Sequence, residues 1–401
     1  MFTEAGHLTY CTNIHPGENW NDHFAAIRKN FPVIKQNVSP NNPMGIGLRL
    51  SNEASLELIK KENLAEFKQW LKENDAYVFT MNGFPYGGFH NTIVKDDVHT
   101  PDWTTVERVN YTLRLFHILS ALLPEGMDGG VSTSPMSYRL WFQAKESHED
   151  CRETATKNIV SVIESLIQIQ KSTGKLLHLD IEPEPDGMLE TGEEFIDWFG
   201  NDLLRIGIPV IKEKFRISAH HAEDLIKEHL RLCYDVCHFA IGYEPHKKII
   251  DDVLKRGIKI GKIQVSAALK CNMNESGRKS IKENFENFNE PTYLHQVVAK
   301  TNAGKLLRYP DLPEALKEID NPLFKEWRAH FHVPIFTKSF GVLSSTQDEI
   351  EEVLAIQKEN PFTDHLEVET YTWNVLAEEL KLPMRESITR ELKWVQQILD
   401  K

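Results

Sequence analysis

Short apolar segments alternate with amphipathic segments along nearly the whole chain, and this alternation is the strongest constraint on its fold. Eight segments are predicted as strands: residues 7–14, 45–50, 76–82, 129–134, 176–182, 231–241, 258–269 and 365–371. Most are apolar without strict alternation, as expected for strands covered on both faces of a parallel sheet. Eight strand–helix repeats favour a closed α/β barrel, (β/α)₈, over an open doubly wound sheet, and the sequence lacks a glycine-rich nucleotide-binding fingerprint.

The segments between the predicted strands have the periodicity of helices. Residues 103–123 carry apolar side chains at three- and four-residue steps, namely Val106, Val109, Leu113, Phe116 and Leu119. Residues 151–174 repeat this pattern and stop at Gly174, which predicts a left-handed helix cap immediately before the fifth strand. A last helix is predicted over residues 386–401, with one apolar stripe made of Ile388, Leu392, Val395 and Leu399.

Two segments are longer than the simple strand–helix repeat requires. Residues 83–102 follow the third strand, and residues 270–345 follow the seventh. Both start at the C-terminal ends of strands, where barrel enzymes have their active sites, so these loops are expected to cover a substrate. Because barrels of this kind commonly reach 401 residues with insertions, we predict one domain over residues 1–401.

The formal net charge of −13 argues against a general nucleic-acid-binding protein, because affinity for a phosphate backbone normally comes from a basic face. A local basic pocket for a single phosphate stays compatible with this charge. No apolar run is long enough to cross a bilayer, and the first residues lack the pattern of a secretory signal. We therefore predict a cytoplasmic protein without a transmembrane segment, whose ligand is a small polar metabolite.

The five cysteines are odd in number and irregularly spaced, which argues against a disulfide framework. Cys233 and Cys237 lie four residues apart inside an apolar run. They are predicted as small buried thiols rather than as a zinc-binding pair.

The segment DIEPEPDG at the end of the fifth strand concentrates four acids: Asp180, Glu182, Glu184 and Asp186. Strand periodicity would place the first three on one side if the strand continued that far. Packed carboxylates repel one another, and burial raises their pKa values unless a cation compensates. A hard divalent ion such as Mg²⁺ or Mn²⁺ would do so, whereas the alternative is a solvent-exposed acidic turn.

Two further strand ends carry groups that suit metal binding. Asp235 and His238 lie three residues apart at the end of the sixth strand, although such a pair also occurs as a satisfied core pair. Glu367 and Glu369 share one side of the eighth strand, and Glu369 is the better candidate because it is nearer the C-terminal end. The alternative for these acids is a salt bridge to a barrel arginine such as Arg49.

Other candidate residues are less specific. Gln264 is a candidate metal ligand on the seventh strand, and the alternating histidines His330 and His332 in the long insertion are either ligands or ordinary hydrogen-bonding groups. The candidate substrate contacts are His15, Asn82, His90, Lys95 and Arg308. His90 lies in the glycine-rich loop, Lys95 is considered as a phosphate contact, and Arg308 is considered as an anion contact.

Glu182, Asp235 with His238, and Glu369 on successive strand ends resemble the xylose isomerase-like barrels, which include sugar isomerases, ketose epimerases and the endonuclease IV group. The resemblance implies that these residues and a seventh-strand ligand converge on a metal ion. The HFH segment that contains His330 and His332 falls where endonuclease IV has an Asp-x-His pair for a further zinc.

Two departures from that superfamily pattern limit what the resemblance implies. Gln264 stands where a histidine is usual, which favours a harder cation than zinc. Asn82 stands where endonuclease IV has a histidine, so a site with three metal ions is not expected.

Within this superfamily, five segments resemble the EboE proteins, which are described as metabolite traffic proteins. They are CTNIHPGENW, MNGFPYGGFH, DIEPEPDG, EPTYLHQ and VETYTWNVL. The resemblance spans the chain, but it implies no particular substrate.

The leading hypothesis is a mononuclear Mn²⁺- or Mg²⁺-dependent isomerase or epimerase of a sugar, sugar phosphate or cyclitol, with Zn²⁺ as a further option for the ion. Metal binding is assigned to Glu182, Asp235, Gln264 and Glu369. Glu182 and Glu369 would also move the proton, and His238 would position an oxygen. The alternatives are a metal-dependent phosphoesterase related to endonuclease IV and a non-catalytic barrel that carries a lipid-linked or prenylated metabolite.

Overall fold

The computed structural model describes residues 1–88, 93–273, 277–371 and 383–400. Within these ranges the strands, in chain order, are β1 Phe2–Thr3, β2 Gly6–Tyr10, β3 Met44–Arg49, β4 Ala76–Asn82, β5 Gly129–Thr133, β6 Leu177–Ile181, β7 Leu230–Asp235, β8 Ile260–Val265, β9 Leu269–Asn272, β10 Val297–Thr301, β11 Leu306–Tyr309, β12 Phe324–Ala329, β13 Ser339–Phe340, β14 Leu343–Ser345 and β15 His365–Val368. They form two sheets, one of nine strands and one of six.

The nine-stranded sheet is a barrel built from the eight predicted strands. Its order is β1-β2-β15-β8-β7-β6-β5-β4-β3, in which β1 pairs antiparallel with β2 and all other neighbours are parallel. The prediction of eight parallel strands is therefore confirmed. Four predicted strands were too long. Residues 7–14 leave the sheet after Tyr10, residues 231–241 turn into a helix after Asp235, residues 258–269 divide into β8 and β9, and residues 365–371 leave the sheet after Val368.

The barrel closes between β2 and β3 through side chains more than through a backbone ladder. A parallel bridge joins Cys11 and Gly47. The Thr9 hydroxyl donates to the Gly45 carbonyl at 2.8 Å and accepts from the Gly47 amide at 3.1 Å. A Cβ on Gly47 would lie 1.8 Å from Oε1 of Glu367, so only glycine leaves room there for a carboxylate inside the barrel.

Helices surround the barrel. They are α1 Trp20–Val38, α2 Asn52–Leu58, α3 Lys61–Glu73, α4 Val106–Leu122, α5 Lys145–Thr173, α6 Gly192–Trp198, α7 Leu204–Phe215, α8 Ala219–His229, α9 Val236–Ile241, α10 His246–Lys255, α11 Arg278–Glu286, α12 Leu312–Leu316, α13 Gln347–Glu359 and α14 Met384–Leu399. None of these described helices is long and apolar enough to span a membrane.

The predicted helix features hold with one exception. Gly174 ends α5 with φ of 75°, which is the left-handed cap that the sequence predicts. The predicted stripe on α14 is buried at all four positions. On α4, however, the assignment of Val106 to the packed face is wrong: this residue begins the helix and is 61% exposed.

The long insertion after β8 folds into the second, antiparallel sheet, whose order is β11-β10-β12-β9-β14-β13. His330 and His332 follow β12 directly. The amide of His330 donates to the carbonyl of Gln296 at 2.9 Å, and the amide of Val333 donates to the carbonyl of Ala267, just beyond β8, at 3.1 Å. These backbone bonds fix the two histidines over the C-terminal end of the barrel.

A buried ion pair lies inside the barrel. The ammonium of Lys262 on β8 lies 2.5 Å from Oε2 of Glu367 on β15, and both side chains are fully buried. The sequence alternative of a salt bridge to Arg49 is wrong for Glu367, because Arg49 pairs with Glu18 at 3.1 Å. Lys262 therefore neutralises Glu367, whereas no lysine or arginine among the described residues forms an ion pair with Glu369.

The five cysteines are free and buried, as the sequence predicts. Cys237 is the second residue of the short helix α9 that follows β7, and its thiol donates to the carbonyl of Phe331 at 3.6 Å. Burial raises the pKa values of the Cys233 and Cys237 thiols well above the ordinary range, so both remain protonated at neutral pH.

Replacing Glu391 with glutamine is expected to change the pH dependence of stability. Glu391 on α14 is buried, its Oε1 accepts from the Thr370 hydroxyl at 2.7 Å, and burial raises its pKa from 4.5 to about 8. Because the unfolded chain loses this proton first, the wild-type free energy of unfolding falls as pH rises from 4.5 to about 8. Glu391→Gln removes that dependence and stabilises the protein by about 1–3 kcal/mol near pH 8.

Urea unfolding of both proteins near pH 4 and near pH 8 checks this expectation. The variant should match the wild type at the lower pH, where Glu391 is protonated in both states. A difference of equal size at both pH values would contradict it.

Candidate metal centre and its cavity

Three carboxylates meet at the C-terminal end of the barrel. Glu182 lies one residue beyond β6, Asp235 ends β7, and Glu369 lies one residue beyond β15. Each offers an oxygen, and these oxygens lie within 4.8 Å of one another. The side chains are 4%, 0% and 5% exposed, respectively. Parallel strands bring their C-terminal ends to one rim, which is why acids far apart in sequence come together here.

The Asp235-x-x-His238 spacing follows from a strand that ends in a helix. Asp235 is the N-cap of α9, and its Oδ1 accepts from the amide of His238 at 3.1 Å and from the hydroxyl of Ser266 at 2.7 Å. The other oxygen, Oδ2, has no hydrogen-bond partner among the described residues. One oxygen thus fixes the helix start and the other is left for the site.

Glu369 is held by two amides. Its Oε1 accepts from Nδ2 of Asn13 at 2.8 Å and from Nδ2 of Asn82 at 2.7 Å. Two donors on one oxygen fix the direction of the carboxylate and favour its ionised form.

Three histidine rings beside the carboxylates are oriented in the same way. Nδ1 of His238 lies 2.9 Å from the Pro183 carbonyl, Nδ1 of His332 lies 3.0 Å from the Glu369 carbonyl, and Nδ1 of His330 lies 2.8 Å from Oε1 of Gln296. Carbonyl oxygens only accept, so in each ring Nδ1 is the donor. In the neutral rings the unprotonated nitrogen is therefore Nε2.

Two of these unprotonated nitrogens face each other. Nε2 of His238 lies 3.1 Å from Nε2 of His330. The amide of Gln296 is itself fixed, because its Nε2 donates to the Pro185 carbonyl at 3.1 Å, and this turns Oε1 toward His330. Two lone pairs at this distance repel each other unless a proton or a metal ion lies between or beside them.

The electrostatics of the site call for a cation. Burial, and then Asp235, raise the pKa of Glu182 to about 8, and burial with Glu182 raises that of Glu369 well above its ordinary value. Burial alone would lower the pKa of His238, but Asp235 and Glu182 raise it above 6.5. A divalent ion bound among these groups would reverse the shifts of the acids, because it stabilises their ionised forms.

Gln264 lies at the same level of the barrel as the acids. In the strand register it is paired with Asp235 on one side and with Glu367 on the other. It is fully buried, and neither atom of its side-chain amide has a hydrogen-bond partner among the described residues. A buried amide without partners is costly, so its oxygen is available to a ligand at this level.

A cavity opens above the carboxylates, with a polar floor and an apolar rim. Glu182, Glu369, His238, His330 and His332 line the floor. The rim consists of Phe84, Val94, Val98, Tyr293, Leu294 and Tyr371. Loops from both insertions supply most of this rim, so these loops cover the cavity.

The predicted substrate contacts are placed differently from one another. Asn82 lines the cavity. Lys95 lines it too, but its ammonium lies 2.6 Å from Asp311. His15 is buried beside the Tyr10 hydroxyl at 3.0 Å, and Arg308 pairs with Glu190 at 2.6 Å; neither is a lining residue of this cavity. His90 lies outside the described residues.

The four acids of the DIEPEPDG segment separate. Glu182 and Glu184 line the cavity, and Oε1 of Glu184 lies 2.8 Å from Nε2 of His99. Asp180 lies at a lower level of the barrel, where it contacts His178 at 2.6 Å. Asp186 adopts a left-handed conformation with φ of 62° and is not among the lining residues. The sequence placed Asp180, Glu182 and Glu184 on one side only if the strand continued that far, and β6 ends at Ile181, so that condition is not met.

Sequence reasoning missed several residues of the site, notably Asn13, His99 and Gln296. Asn13 lies in the CTNIHPGENW segment, but the predicted strand continued through it, whereas residues Thr12–Ile14 form a short 3₁₀ helix that brings Asn13 to Glu369. Gln296 ends the EPTYLHQ segment, which was noted only for its resemblance. His99 carried no signal beyond its place in an insertion.

Solved structures of barrel proteins are similar to this chain over nearly its whole length. The crystal structure of a D-tagatose 3-epimerase-like protein matches with a TM-score of 0.50 and 10% identity, over 98% of each chain. A putative sugar phosphate isomerase/epimerase from Anabaena variabilis ATCC 29413 matches with a TM-score of 0.51 and 9% identity, over 98% of each chain. A xylose isomerase-like TIM barrel protein from Mycobacterium smegmatis, solved in complex with magnesium, gives 0.46 and 10%, over 91% of this chain and 86% of that one.

The comparisons at the level of sequence give nothing further: no model of a protein family matches the chain, and no curated protein matches it. At identities this low, the structural likeness shows the fold alone. The chain folds as an α/β TIM barrel.

Proposed function

We propose that this protein binds a divalent metal ion with Glu182, Asp235 and Glu369, and that it isomerises or epimerises a small polyhydroxylated carbonyl compound. The observation that carries the proposal is the convergence of three buried carboxylates within 4.8 Å of one another, of which Glu182 and Glu369 line the cavity. Buried acids without a cation are costly, and strand-end positions are where barrels of this architecture have their active sites.

The residues fit such an ion. Oε2 of Glu182, Oδ2 of Asp235 and both side-chain atoms of Gln264 have no hydrogen-bond partner among the described residues, although all are buried. Lys262 compensates these carboxylates only in part: burial raises the pKa values of Glu182 and Glu369 despite its charge, and its ammonium lies 2.5 Å from Glu367. The site therefore has oxygen donors and negative charge in excess of the positive charge around them.

The choice of ion follows from the neighbouring rings. Asp235, His238 and His332 also offer ligand atoms within 4.8 Å of one another, and so do Glu184, His238 and His330. Carboxylate and amide oxygens suit Mg²⁺ and Mn²⁺, whereas imidazole suits Zn²⁺ and related ions. A mixed set of this kind favours Mn²⁺ or Zn²⁺ over Mg²⁺.

The side chains divide the chemistry between them. When bound, the ion would supply a Lewis acid for neighbouring carbonyl and hydroxyl oxygens of the substrate. Glu369 is fixed by Asn13 and Asn82, so it is a positioned carboxylate. Glu182 keeps one oxygen without a partner and is the group that takes a proton from the substrate carbon. His238, whose Nδ1 is bound to the Pro183 carbonyl, presents Nε2 to a substrate oxygen.

The cavity favours an uncharged substrate over a phosphorylated one. Lys95 is the only lysine or arginine among the described lining residues, and it is paired with Asp311 at 2.6 Å. Acids on the floor would repel a phosphate. An apolar rim with a polar floor suits a polyol or cyclitol, with or without an apolar substituent. The relation to metabolite traffic proteins of the EboE type, which rests on sequence resemblance, stays a prediction.

A second candidate is a metal-dependent phosphoesterase. It is favoured by the nitrogen-rich group of Cys237, His330 and His332, whose ligand atoms lie within 4.8 Å of one another beside the carboxylate site. A second ion there would suit hydrolysis of a phosphate ester. Cleavage of DNA at abasic sites, or of simple phosphate monoesters, by the metal-loaded protein would favour this function over isomerisation.

Glu182→Gln and Glu369→Gln are each expected to lower kcat for interconversion of unphosphorylated ketoses or inososes by a factor of about 10² to 10⁴, because each removes a group that binds the ion and handles the proton. The measurement is NMR detection of deuterium exchange at the carbon next to the carbonyl, in D₂O. Glu244→Gln is the matched control, since Glu244 accepts from the Gly192 amide at 3.0 Å and is not a lining residue of this cavity, so the rate should be unaltered. Full turnover in both site variants would rule out these roles.

Gln296→Leu is expected to weaken metal binding by a factor of about 10 to 100, because it removes the oxygen that orients His330. Titration of the chelator-stripped protein with Zn²⁺ or Mn²⁺ gives the affinity. The control is Gln170→Leu, which removes a similar amide from His229, at 3.1 Å, outside the cavity. Equal affinities in the wild type and in Gln296→Leu would show that His330 is not a ligand.

A further inference from the structure

A second group of histidine and carboxylate side chains lies at the opposite, N-terminal end of the barrel. Asp128 immediately precedes β5, His178 is the second residue of β6, and His365 is the first residue of β15. Each offers a ligand atom, and the three atoms lie within 4.8 Å of one another. None of the three belongs to the cavity at the other end.

The distances suit a tetrahedral ion. Nε2 of His365 lies 3.2 Å from Oδ1 of Asp128, and Nε2 of His178 lies 3.6 Å from Oδ2 of Asp128. In a tetrahedral zinc site with bonds of roughly 2.0–2.1 Å, neighbouring ligand atoms are about 3.3 Å apart. Both histidine nitrogens thus lie at about this distance from the Asp128 carboxylate, and a water molecule would complete a four-coordinate site.

The ring of His178 is held from behind by a carboxylate. Its Nδ1 donates to Oδ1 of Asp180 at 2.6 Å, which leaves Nε2 unprotonated on the side of Asp128. A carboxylate behind the ligand histidine is the usual outer support of protein-bound zinc. The chain makes room for this pair with glycine: a Cβ on Gly130 would lie 2.4 Å from Asp180, and one on Gly261 would lie 1.9 Å from it.

His365 shows that the group lacks a partner. Its ring is buried, and neither ring nitrogen makes a hydrogen bond to any described residue. The 3.2 Å approach of Nε2 to Asp128 is a close contact without hydrogen-bond geometry. Buried imidazole nitrogens almost always have partners, and here, among the described residues, Nε2 has only the Asp128 carboxylate at 3.2 Å, so a bound ion would satisfy this ring.

The charges leave room for a cation. Arg231 neutralises part of Asp128, with Nη1 at 2.8 Å from Oδ2. The side chain of Asp128 is 24% exposed, which gives an ion a route from solvent.

We propose that Asp128, His178 and His365 form a second metal site, which binds Zn²⁺ or a similar divalent ion at the N-terminal end of the barrel. β15 and β6 are separated by β7 and β8 in the sheet, so the ion would connect strands across the barrel interior. The site shares no residue with the proposed catalytic centre. It would act as a structural link, and its existence does not depend on the reaction at the other end.

The experiment counts metal ions in the intact protein. The wild type, His365→Gln and Asp128→Asn are stripped with chelator, loaded with Zn²⁺, dialysed and analysed for zinc per chain. Both variants are expected to hold one ion fewer than the wild type. His229→Gln, which changes another buried histidine at this end of the barrel, is expected to hold as many ions as the wild type. Equal zinc content in the wild type, His365→Gln and Asp128→Asn overturns the proposal.

Two further measurements keep the test decisive. If His365→Gln does not fold, Asp128→Asn decides alone, because the side chain of Asp128 is partly exposed and its replacement disturbs the core less. In Glu182→Gln/Glu369→Gln, which disables the proposed catalytic centre, the ion at Asp128 should remain and should show the visible absorption of tetrahedral Co²⁺ after cobalt loading. Loss of that absorption on adding Asp128→Asn supports the site, and its persistence overturns it.

Discussion

Buried negative charge is the constraint on which most of this structure depends. The barrel interior contains Glu367 and, two residues later, Glu369, and it treats them differently. Glu367 is neutralised by Lys262 at 2.5 Å, at a level where Gly47 leaves space for the carboxylate. Glu369 lies beside Glu182 and Asp235, and its hydrogen-bond donors are the neutral amides of Asn13 and Asn82. Negative charge therefore accumulates at the C-terminal strand ends, whereas at the level of Glu367 it is neutralised. None of the described lysines and arginines pairs with the other three acids, and this is the basis of the proposed metal site.

Much of this arrangement was predictable from sequence. Parallel strands present all their C-terminal ends on one rim, so an acid at the end of a predicted strand is expected to meet acids at the ends of other strands. That argument needs only the approximate strand ends, and it brought Glu182, Asp235 and Glu369 together correctly. It does not extend to Asp180, which lies within β6 at a lower level of the barrel and contacts His178 at 2.6 Å.

The rest of the site depends on packing that no local pattern encodes. Asn13 reaches Glu369 only because the chain leaves β2 at Tyr10 and turns, and Gln296 reaches His330 through the pairing of a separate sheet. Lys262 is a polar residue in a largely apolar strand, and no local pattern indicates that its partner, Glu367, lies 105 residues away. Contacts of this kind are set by the three-dimensional placement of whole elements, and the histidine ring orientations follow from them.

The two kinds of donor atom at the rim come from different parts of the chain. The strand ends supply the carboxylates, whereas the inserted antiparallel sheet supplies His330, His332 and the amide that orients one of them. An insertion can change in length or sequence without disturbing the hydrogen-bonded cylinder beneath it. The balance of oxygen and nitrogen donors at the proposed metal centre would decide which class of ion it binds. This balance can thus evolve independently of the stability of the scaffold.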